Sequence, residues 1–342
     1  MRNNSRKLMI DRRRFLQYSV SIGGYVSLSP VISPHFYSLN HELPADIQWY
    51  SKPLRILQTV LREPDAAEYD AQSVVGYMEL TGCNTLVVNG GDIVDFFQNP
   101  LPAANINTFM GSRDILGEIT EACHKSGIRV IARIDFRGVE EKIYMQYPDW
   151  FSSDEDQKPK MLTYTRPQLY AACYNGHYRN EHAKEFISYI MKSYDLDGIW
   201  HNSVGVGGIC YCSRCRDSYR AATGEEIPSV NASDAKLDRY MSWKTVMADR
   251  HMGTMRETVK SFGEDKVYTA EVFSMFEAGA RINDGIDLYN ARDHFDFLVS
   301  VAFLTENSEI IHYADLNYAG TIIRFLKSMA PEKEAIILYG GN

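Results

Sequence analysis

The sequence predicts an α/β protein whose parallel strands form a (β/α)8 TIM barrel. Three observations predict this fold: apolar, β-branched runs alternate with helical apolar stripes, the runs are apolar on successive residues, and polar residues follow each run. Continuously apolar strands are typical of parallel sheets that are covered on both faces. A doubly wound open sheet would carry a glycine-rich phosphate turn after its first strand, whereas Leu61-Arg-Glu-Pro-Asp65 stands there. The barrel is therefore the favoured architecture.

Seven runs have the composition of buried strands, and they are 54–60, 83–88, 128–134, 197–202, 266–272, 295–303 and 334–339. Apolar residues between them repeat with the 3.6-residue period of a helix. The first helix is expected to begin at Pro64-Asp65 and to end at Gly82. Later helices are expected around 115–126, 183–194, 243–262 and 322–329.

An eighth strand is not visible, because Asn342 follows closely on the seventh run. Three explanations stay open: one of the seven runs contains two strands, the barrel is shortened, or the chain is a fragment of a longer one. Seven strands would leave two sheet edges, and the apolar, β-prone run 335–339 is then expected to promote association. Residues 41–50, which contain Trp49 and Tyr50, could instead pack into the gap.

Composition excludes several classes of protein. The chain has 342 residues, of which 45% are hydrophobic and 23% charged, so neither disorder nor a multi-span membrane protein is expected. Residues 1–40 hold six of the 36 Lys and Arg and one of the 44 Asp and Glu, which leaves the rest with 30 basic and 43 acidic residues. A net charge of −13 on that part argues against binding to nucleic acid. Residues 41–342 are expected to form one domain.

The N-terminal segment 1–40 is predicted to be an export signal with a linker. Asp11-Arg-Arg-Arg-Phe-Leu-Gln17 resembles the twin-arginine signal, and a modest apolar stretch follows at 18–32. That stretch contains four Ser, two Gly and Pro30, so it is too short and too polar to span about 30 Å of hydrocarbon stably. The mature protein is therefore expected to be periplasmic or secreted, without a membrane attachment. A basic arm or a signal anchor is the alternative.

Polar residues at the carboxyl ends of the predicted strands are the candidate site, because active sites of such barrels lie there. Asp135 and Glu271 are predicted to be the catalytic carboxylate pair that acetal chemistry requires. The predicted substrate contacts are Asn89, Asp92, Arg133, Trp200, His201 and Asn202. Trp200 and His201 are adjacent, so only one of them can face the barrel interior. For any one of these residues the alternative is a capping or loop-tethering role.

Several ordered motifs carry a resemblance to a known family. They are Asn84–Gly91 with Phe96-Phe97, Arg133–Phe136, Tyr147–Phe151, Tyr194–Trp200 and Cys210–Cys215. Together they resemble the hypothetical glycosyl hydrolase 6 family over roughly residues 50 to 300. That family is related to the barrel of family 42 β-galactosidases and, more distantly, to α-L-fucosidases. The resemblance implies a TIM barrel with a carbohydrate-active role.

The sequence departs from those relatives at positions that carry their catalytic residues, so alternatives to a hydrolase stay open. In family 42 enzymes the fourth strand ends in Asn-Glu, the Glu being the general acid/base, whereas this chain has Asn202-Ser203. In fucosidase-like barrels a nucleophilic Asp stands where this chain has Asn202. The strand-seven Glu of family 42 has no counterpart in 336–341. An exported glycoside hydrolase, a non-catalytic glycan-binding barrel and a truncated part of a larger hydrolase are therefore the three hypotheses.

Four cysteines are predicted to hold a structural zinc ion. Cys210, Cys212 and Cys215 have the tight spacing that lets thiolates converge at about 2.3 Å on one ion, and Cys173 is a plausible fourth ligand. The cluster resembles the four-cysteine zinc site of family 42 enzymes. Disulfides are the alternative in an exported protein. Cys83 and Cys123 are expected in the core, and no organic cofactor is expected.

Overall fold

Seven parallel strands form the main sheet of the computed structural model, and each lies where an apolar run predicts one. They are β1 (Ile56–Thr59), β2 (Thr85–Gly91), β3 (Arg129–Ile134), β7 (Gly198–His201), β8 (Val267–Val272), β9 (Leu298–Phe303) and β10 (Ala335–Gly340). Their order in the sheet is their order in the chain, and every neighbouring pair is parallel. The sheet curls into a half-barrel, so the predicted fold class, a TIM barrel incomplete at its C-terminal end, is confirmed.

The structure describes residues 48–162, 168–202, 204–205, 207–272, 285–303 and 313–340. They belong to one structural unit, which begins at Gln48. The predicted export signal, 1–40, lies outside the described residues. Within them β1 and β10 each pair on one side only, so the two sheet edges that seven strands imply are present.

Helices connect the strands and cover one face of the sheet. They are α1 (Ala71–Thr81), α2 (Ile115–Lys125), α3 (Glu141–Tyr144), α4 (Ala183–Ser193), α5 (Ser213–Thr223), α6 (Asp234–Lys260), α7 (Leu288–Ala291) and α8 (Tyr313–Met329). A π-helical turn at Tyr178–His182 leads into α4, and short 3-10 turns lie at 49–51, 63–67, 108–110, 148–150 and 292–294. Among the described residues, none of the helices combines the length and the apolarity that crossing a membrane requires.

The first helix begins later than its sequence predicts. Pro64 lies in a 3-10 turn, Glu63–Ala67, and α1 begins at Ala71. The reason is that Asp70 supplies the cap: its carboxylate accepts a hydrogen bond from the backbone of Ser73. Gly82 ends the helix in the left-handed conformation, with φ +69°, as expected.

A small antiparallel sheet lies in the connection between β3 and β7, and no sequence pattern predicted it. Its strands are β4 (Gly138–Val139), β5 (Met161–Leu162) and β6 (Leu169–Ala171), in the order β4-β6-β5. Strands of two or three residues are too short to show alternation, which explains why they escaped prediction.

Side chains of the main sheet alternate between two apolar layers. Val87, Ile131 and Trp200 lie in the layer inside the barrel, whereas neighbours such as Val88 and Ile199 lie in the larger layer beneath the helices. Trp200 faces inward, and His201 packs against Phe136 and Tyr268 on the helix-covered side. The prediction that only one of these two residues can face the interior is thus confirmed.

Trp49 and Tyr50 lie against the amino-terminal side of the sheet. Trp49 donates its indole N–H to the carbonyl of Asp265, which precedes β8, at 2.8 Å. Tyr50 donates its hydroxyl to Asp296, which precedes β9, at 3.4 Å. Both rings also pack on the interior apolar layer. The segment therefore covers the interior from below, at the end opposite to the polar rim.

Candidate active site

A cleft of about 360 Å³ lies at the carboxyl ends of the first strands of the barrel. Four of the residues that line it were predicted as site residues: Asn89, Arg133, Asp135 and Asn202. Three further polar residues line it that were not assigned: Arg62, Glu63 and Arg137. The cleft therefore combines carboxylates, guanidinium groups and amides, which are groups that form hydrogen bonds with the hydroxyls of polyols.

Strand alternation places these side chains together. Val87 and Ile131 lie in the interior layer, and Asn89 and Arg133 each stand two residues further along the same strands. Beyond Asn89 the pairing of β2 with β3 shifts register at Gly91, whose φ is +152°. A Cβ at Gly91 would lie 2.5 Å from a carboxylate oxygen of Asp95, so this bend requires glycine.

Asp135 is held by hydrogen bonds on both carboxylate oxygens. Arg137 donates from Nε to both oxygens at 2.9 Å, from Nη2 to Oδ2 at 2.7 Å and from its backbone N–H to Oδ1 at 3.0 Å. Asn202 adds a fifth contact, from Nδ2 to Oδ2 at 2.5 Å. Asp135 is consequently a fixed negative charge with donors on each oxygen.

Glu271 lies behind Arg133 rather than on the cleft surface. Its side chain is 1% exposed, and Oε1 accepts hydrogen bonds from Arg133 Nε at 3.1 Å and from Trp200 Nε1 at 2.7 Å. Arg133 lies between Glu271 and the cleft, since Arg133 lines the cleft and Glu271 does not. The structure therefore places Asp135 on the cleft and Glu271 beneath it, and each carboxylate is held by its own arginine.

Trp200 and Asn89 serve structural contacts at the rim. The indole of Trp200 is 1% exposed and lies 6.1 Å from the ring of Phe297 between centroids, so its faces are covered by protein. The side-chain amide of Asn89 pairs with both backbone groups of Leu61. The Leu61 N–H donates to Oδ1 at 3.0 Å, and Nδ2 donates to the Leu61 carbonyl at 3.4 Å. Asn89 thereby tethers the chain that follows β1.

Asp92 and His201 lie outside the lining of the cleft. Asp92 is buried and accepts a hydrogen bond from Tyr178 OH at 2.6 Å, and burial raises the pKa of its carboxyl group. His201 is buried on the helix-covered side with its Nδ1 3.2 Å from Tyr268 OH, and burial lowers its pKa well below the ordinary range. A substrate-binding role for these two residues, as the strand-end rule predicted, receives no support from this cleft.

The three unassigned residues were accessible to the rule that found the others. Arg62 and Glu63 lie three and four residues beyond the end of β1, in a strand-to-helix connection of the kind that builds the active sites of such barrels. Arg137 likewise stands three residues beyond the end of β3. Hydrogen bonds from the Arg137 guanidinium group to Asp135 hold it in the cleft, and these contacts are visible only in the folded chain.

The four predicted cysteines converge on one point beside the small sheet. Their sulfur atoms all lie within 4.8 Å of one another. Cys173 Sγ is 3.3 Å from Cys215, 3.6 Å from Cys212 and 3.7 Å from Cys210. A disulfide would need about 2.05 Å, whereas zinc–sulfur bonds of about 2.3 Å set tetrahedral sulfurs about 3.8 Å apart. The spacing fits a four-coordinate metal ion, and none of the four cysteines is joined in a disulfide.

Two lysines flank the loop that carries these cysteines. Lys160 donates to the carbonyl of Ile209 at 2.8 Å, and Lys244 donates to the carbonyl of Gly208. Lys244 is 4% exposed, and burial lowers its pKa to about 7. Both lysines therefore stabilise the backbone conformation of 207–209, directly before the first cysteine of the motif.

The fold is similar to those of several glycosidases. The α-L-fucosidase isoenzyme 2 of Paenibacillus thiaminolyticus superposes with a TM-score of 0.56 at 17% identity, over 85% of this chain and 46% of that one. A β-galactosidase from Rahnella sp. R3 gives 0.61 at 16% identity, over 84% and 45%. The PgaB (BpsB) glycoside hydrolase domain of Bordetella bronchiseptica gives 0.60 at 12%, over 84% of each chain.

The chain spans less than half of the length of that fucosidase and that galactosidase. At these identities the superpositions establish the shared TIM-barrel fold. Among curated proteins, none matches the sequence. The family that the motifs suggested does match, because residues 70–203, which run from the cap of α1 to the end of β7, fit the model of the hypothetical glycosyl hydrolase 6 family.

Proposed function

We propose that this protein is a glycoside hydrolase that cleaves a glycan in the cleft at the carboxyl ends of its barrel strands. The observation that carries the proposal is the placement of Asp135 on that cleft with Arg133, Arg137 and Asn202 around it. The match to a glycosyl hydrolase family over 70–203 and the glycosidase-like fold support the same class of reaction.

The arrangement suits the charge that develops during acetal cleavage. As the glycosidic bond breaks, the anomeric carbon and ring oxygen gain positive charge, and a fixed carboxylate beside them stabilises that state. Asp135 is such a group, since five hydrogen bonds hold it in one orientation. Glu271 adds a second negative charge at the same rim, held behind Arg133.

The test is turnover of a panel of p-nitrophenyl glycosides together with release of reducing ends from polysaccharides. We expect Asp135→Asn to lower turnover by at least about a hundredfold on any substrate that the parent cleaves. Asp238→Asn is the matched control, because Asp238 is exposed on α6 and lies outside the cleft lining. A parent that cleaves no member of the panel would contradict the proposal.

A non-catalytic glycan-binding barrel is the second candidate, and Asn202 is the observation that favours it. Where related barrels carry an acid at the end of this strand, Asn202 carries an amide that donates to Asp135. An amide cannot give and retake a proton as a tuned carboxylic acid does. Binding of oligosaccharides by calorimetry, without release of product over a day, would favour this candidate over the hydrolase.

We also propose that the four cysteines hold one zinc ion in a structural role. Four thiolates complete a tetrahedron and leave no open position for water, so the ion would stabilise the fold around Cys173 and the loop 210–215 rather than take part in the reaction. The sulfur–sulfur separations of 3.3 to 3.7 Å support this set of ligands.

Export through the twin-arginine pathway is the proposed route to the site of action. It rests on the motif at 11–17 and on the apolar stretch that follows it. Because that pathway moves folded proteins, zinc could enter the cysteine cluster in the reducing cytosol before export. The cluster would then reach the oxidising compartment with its thiolates already protected.

A further inference from the structure

We propose that Glu63 is the general acid of this cleft, the carboxyl group that protonates the oxygen of the departing sugar. This role rests on the proposed glycosidase function and names a residue for the one step that Asp135 and Glu271 are poorly placed to perform. Asp135, Glu271 and Glu63 differ in their access to the cleft and in the hydrogen bonds that their carboxylates already accept.

Asp135 is unsuited to donate a proton. A protonated carboxyl group must point its O–H at an acceptor, yet donors already occupy both of its oxygens. Arg137 reaches each oxygen from Nε at 2.9 Å, and Asn202 reaches Oδ2 at 2.5 Å. Adding a proton there would set an O–H against N–H donors and break at least one of these bonds.

Glu271 is unsuited for a different reason, which is access. Its side chain is 1% exposed and does not line the cleft. Its Oε1 already accepts from Arg133 and Trp200. A leaving-group oxygen in the cleft would meet Arg133 before it met Glu271.

Glu63 combines access to the cleft with an unoccupied carboxylate, and neither Asp135 nor Glu271 has both properties. It lines the cleft, it is partly exposed, and its carboxylate has no hydrogen bond or ion pair within the described part of the chain. A carboxyl group without partners inside the protein can approach the glycosidic oxygen of a bound substrate directly, which is the geometry that general acid catalysis requires.

The backbone around Glu63 is nevertheless held in place. Asn107 donates from Nδ2 to the carbonyl of Glu63 at 3.0 Å. Two residues earlier, Leu61 is tethered through its N–H and its carbonyl to the side chain of Asn89. Two asparagines from the β2 side of the barrel thus fix the segment, while the carboxylate itself stays available. This combination is what a general acid needs, because its efficiency depends on orientation.

The bond between the anomeric carbon and the glycosidic oxygen breaks, its electron pair stays on that oxygen, and the oxygen takes the proton of Glu63. Asp135 faces the positive charge that remains on the sugar. Water then adds to the anomeric carbon, and the proton that it loses returns to the Glu63 carboxylate. The products are the free sugar and the alcohol.

The experiment compares Glu63→Gln with the parent on two aryl glycosides of whichever sugar the parent accepts. One carries 4-methylumbelliferone, a leaving group that benefits from protonation, and the other carries 2,4-dinitrophenol, which leaves without it. We expect turnover of the first to fall about 10²- to 10⁴-fold, and turnover of the second to fall less than about tenfold. Glu68→Gln is the matched control, since Glu68 is exposed and lies outside the cleft lining.

The outcomes separate this role from the proposed function. Equal losses on both substrates, or no loss on either, would overturn the role of Glu63 while leaving the glycosidase intact. A parent inactive on every glycoside would overturn the glycosidase proposal and the role with it. Glu63→Asp guards against misfolding: its melting temperature should equal that of the parent, and its loss should show the same leaving-group dependence, because the acid is retained but set back.

Discussion

Arg133 and Glu271 are joined by a hydrogen bond of 3.1 Å across the interior of the sheet, although β7 lies between their strands. Trp200, on that intervening strand, donates to the same oxygen at 2.7 Å. Three consecutive strands of the sheet, β3, β7 and β8, therefore meet at one carboxylate oxygen. The floor beneath the cleft is preformed, and Arg133 links that floor to the cleft surface.

Replacing Glu271 tests the importance of that floor. In Glu271→Gln the partner of Arg133 loses its charge, so Arg133 would no longer be held by a charge-assisted bond. We expect turnover of the best glycoside to fall at least about a hundredfold. Glu257→Gln, on the exposed side of α6, should keep full activity. Retained activity in Glu271→Gln would place the required negative charge elsewhere on the rim.

The cysteine cluster should contain one zinc ion per chain by elemental analysis of the purified protein. Removing one ligand with Cys215→Ser should abolish stoichiometric zinc and lower the melting temperature, because structural zinc contributes directly to folding. Cys83→Ser is the control, since Cys83 lies outside the cluster. Absence of zinc together with four fewer titratable thiols than the sequence contains would indicate disulfides instead.

Export should depend on the arginine pair in the segment 11–17. We expect the double variant Arg12→Lys, Arg13→Lys to accumulate in the cytoplasm, because the motif that resembles the twin-arginine signal is lost while the charge is kept. The corresponding change at Arg2 and Arg6 leaves the motif intact and serves as the control. Fractionation followed by immunoblotting measures the outcome, and unchanged periplasmic recovery of the first variant would exclude the pathway.

The unpaired edge of β10 should make the chain associate at high concentration. Its strand is apolar and pairs only with β9 among the described residues, so its free backbone groups can template another strand. Sedimentation of residues 41–342 should show concentration-dependent species, and Leu338→Lys should reduce them. Ile323→Lys, an exposed position on α8, should not. A monomer at all concentrations, with 335–339 protected from hydrogen exchange, would mean that another segment covers this edge.

The positions of the strands were predictable from the sequence because parallel strands buried on both faces are apolar at successive positions. All seven runs became strands of the main sheet, and Asn89, Arg133, Asp135 and Asn202, at the carboxyl ends of β2, β3 and β7, line the cleft. Which of Trp200 and His201 faces the barrel interior was predictable only in part. Alternation requires them to face opposite sides, yet the sequence does not say which side is the interior.

Several features depended on the tertiary structure alone. Arg137 occupies both oxygens of Asp135, and Glu271 lies beneath Arg133 rather than on the cleft. These contacts decide which carboxylate is open to a substrate, and Glu63, in the connection that follows β1, is the one left open in the described cleft. The distance between Cys173 and the 210–215 motif also depends on the tertiary structure, because the small sheet sets it.

By itself, the sequence determined the fold class, the positions of the seven strands of the main sheet and several of the polar residues at their carboxyl ends, because these follow from local apolarity and from periods of 2 and 3.6 residues. Only the tertiary structure decided which of those polar groups pair with one another and which remain available. Such pairing depends on angstrom-scale distances between side chains that are as much as 138 residues apart, as Arg133 and Glu271 are, and local sequence patterns carry no record of those distances.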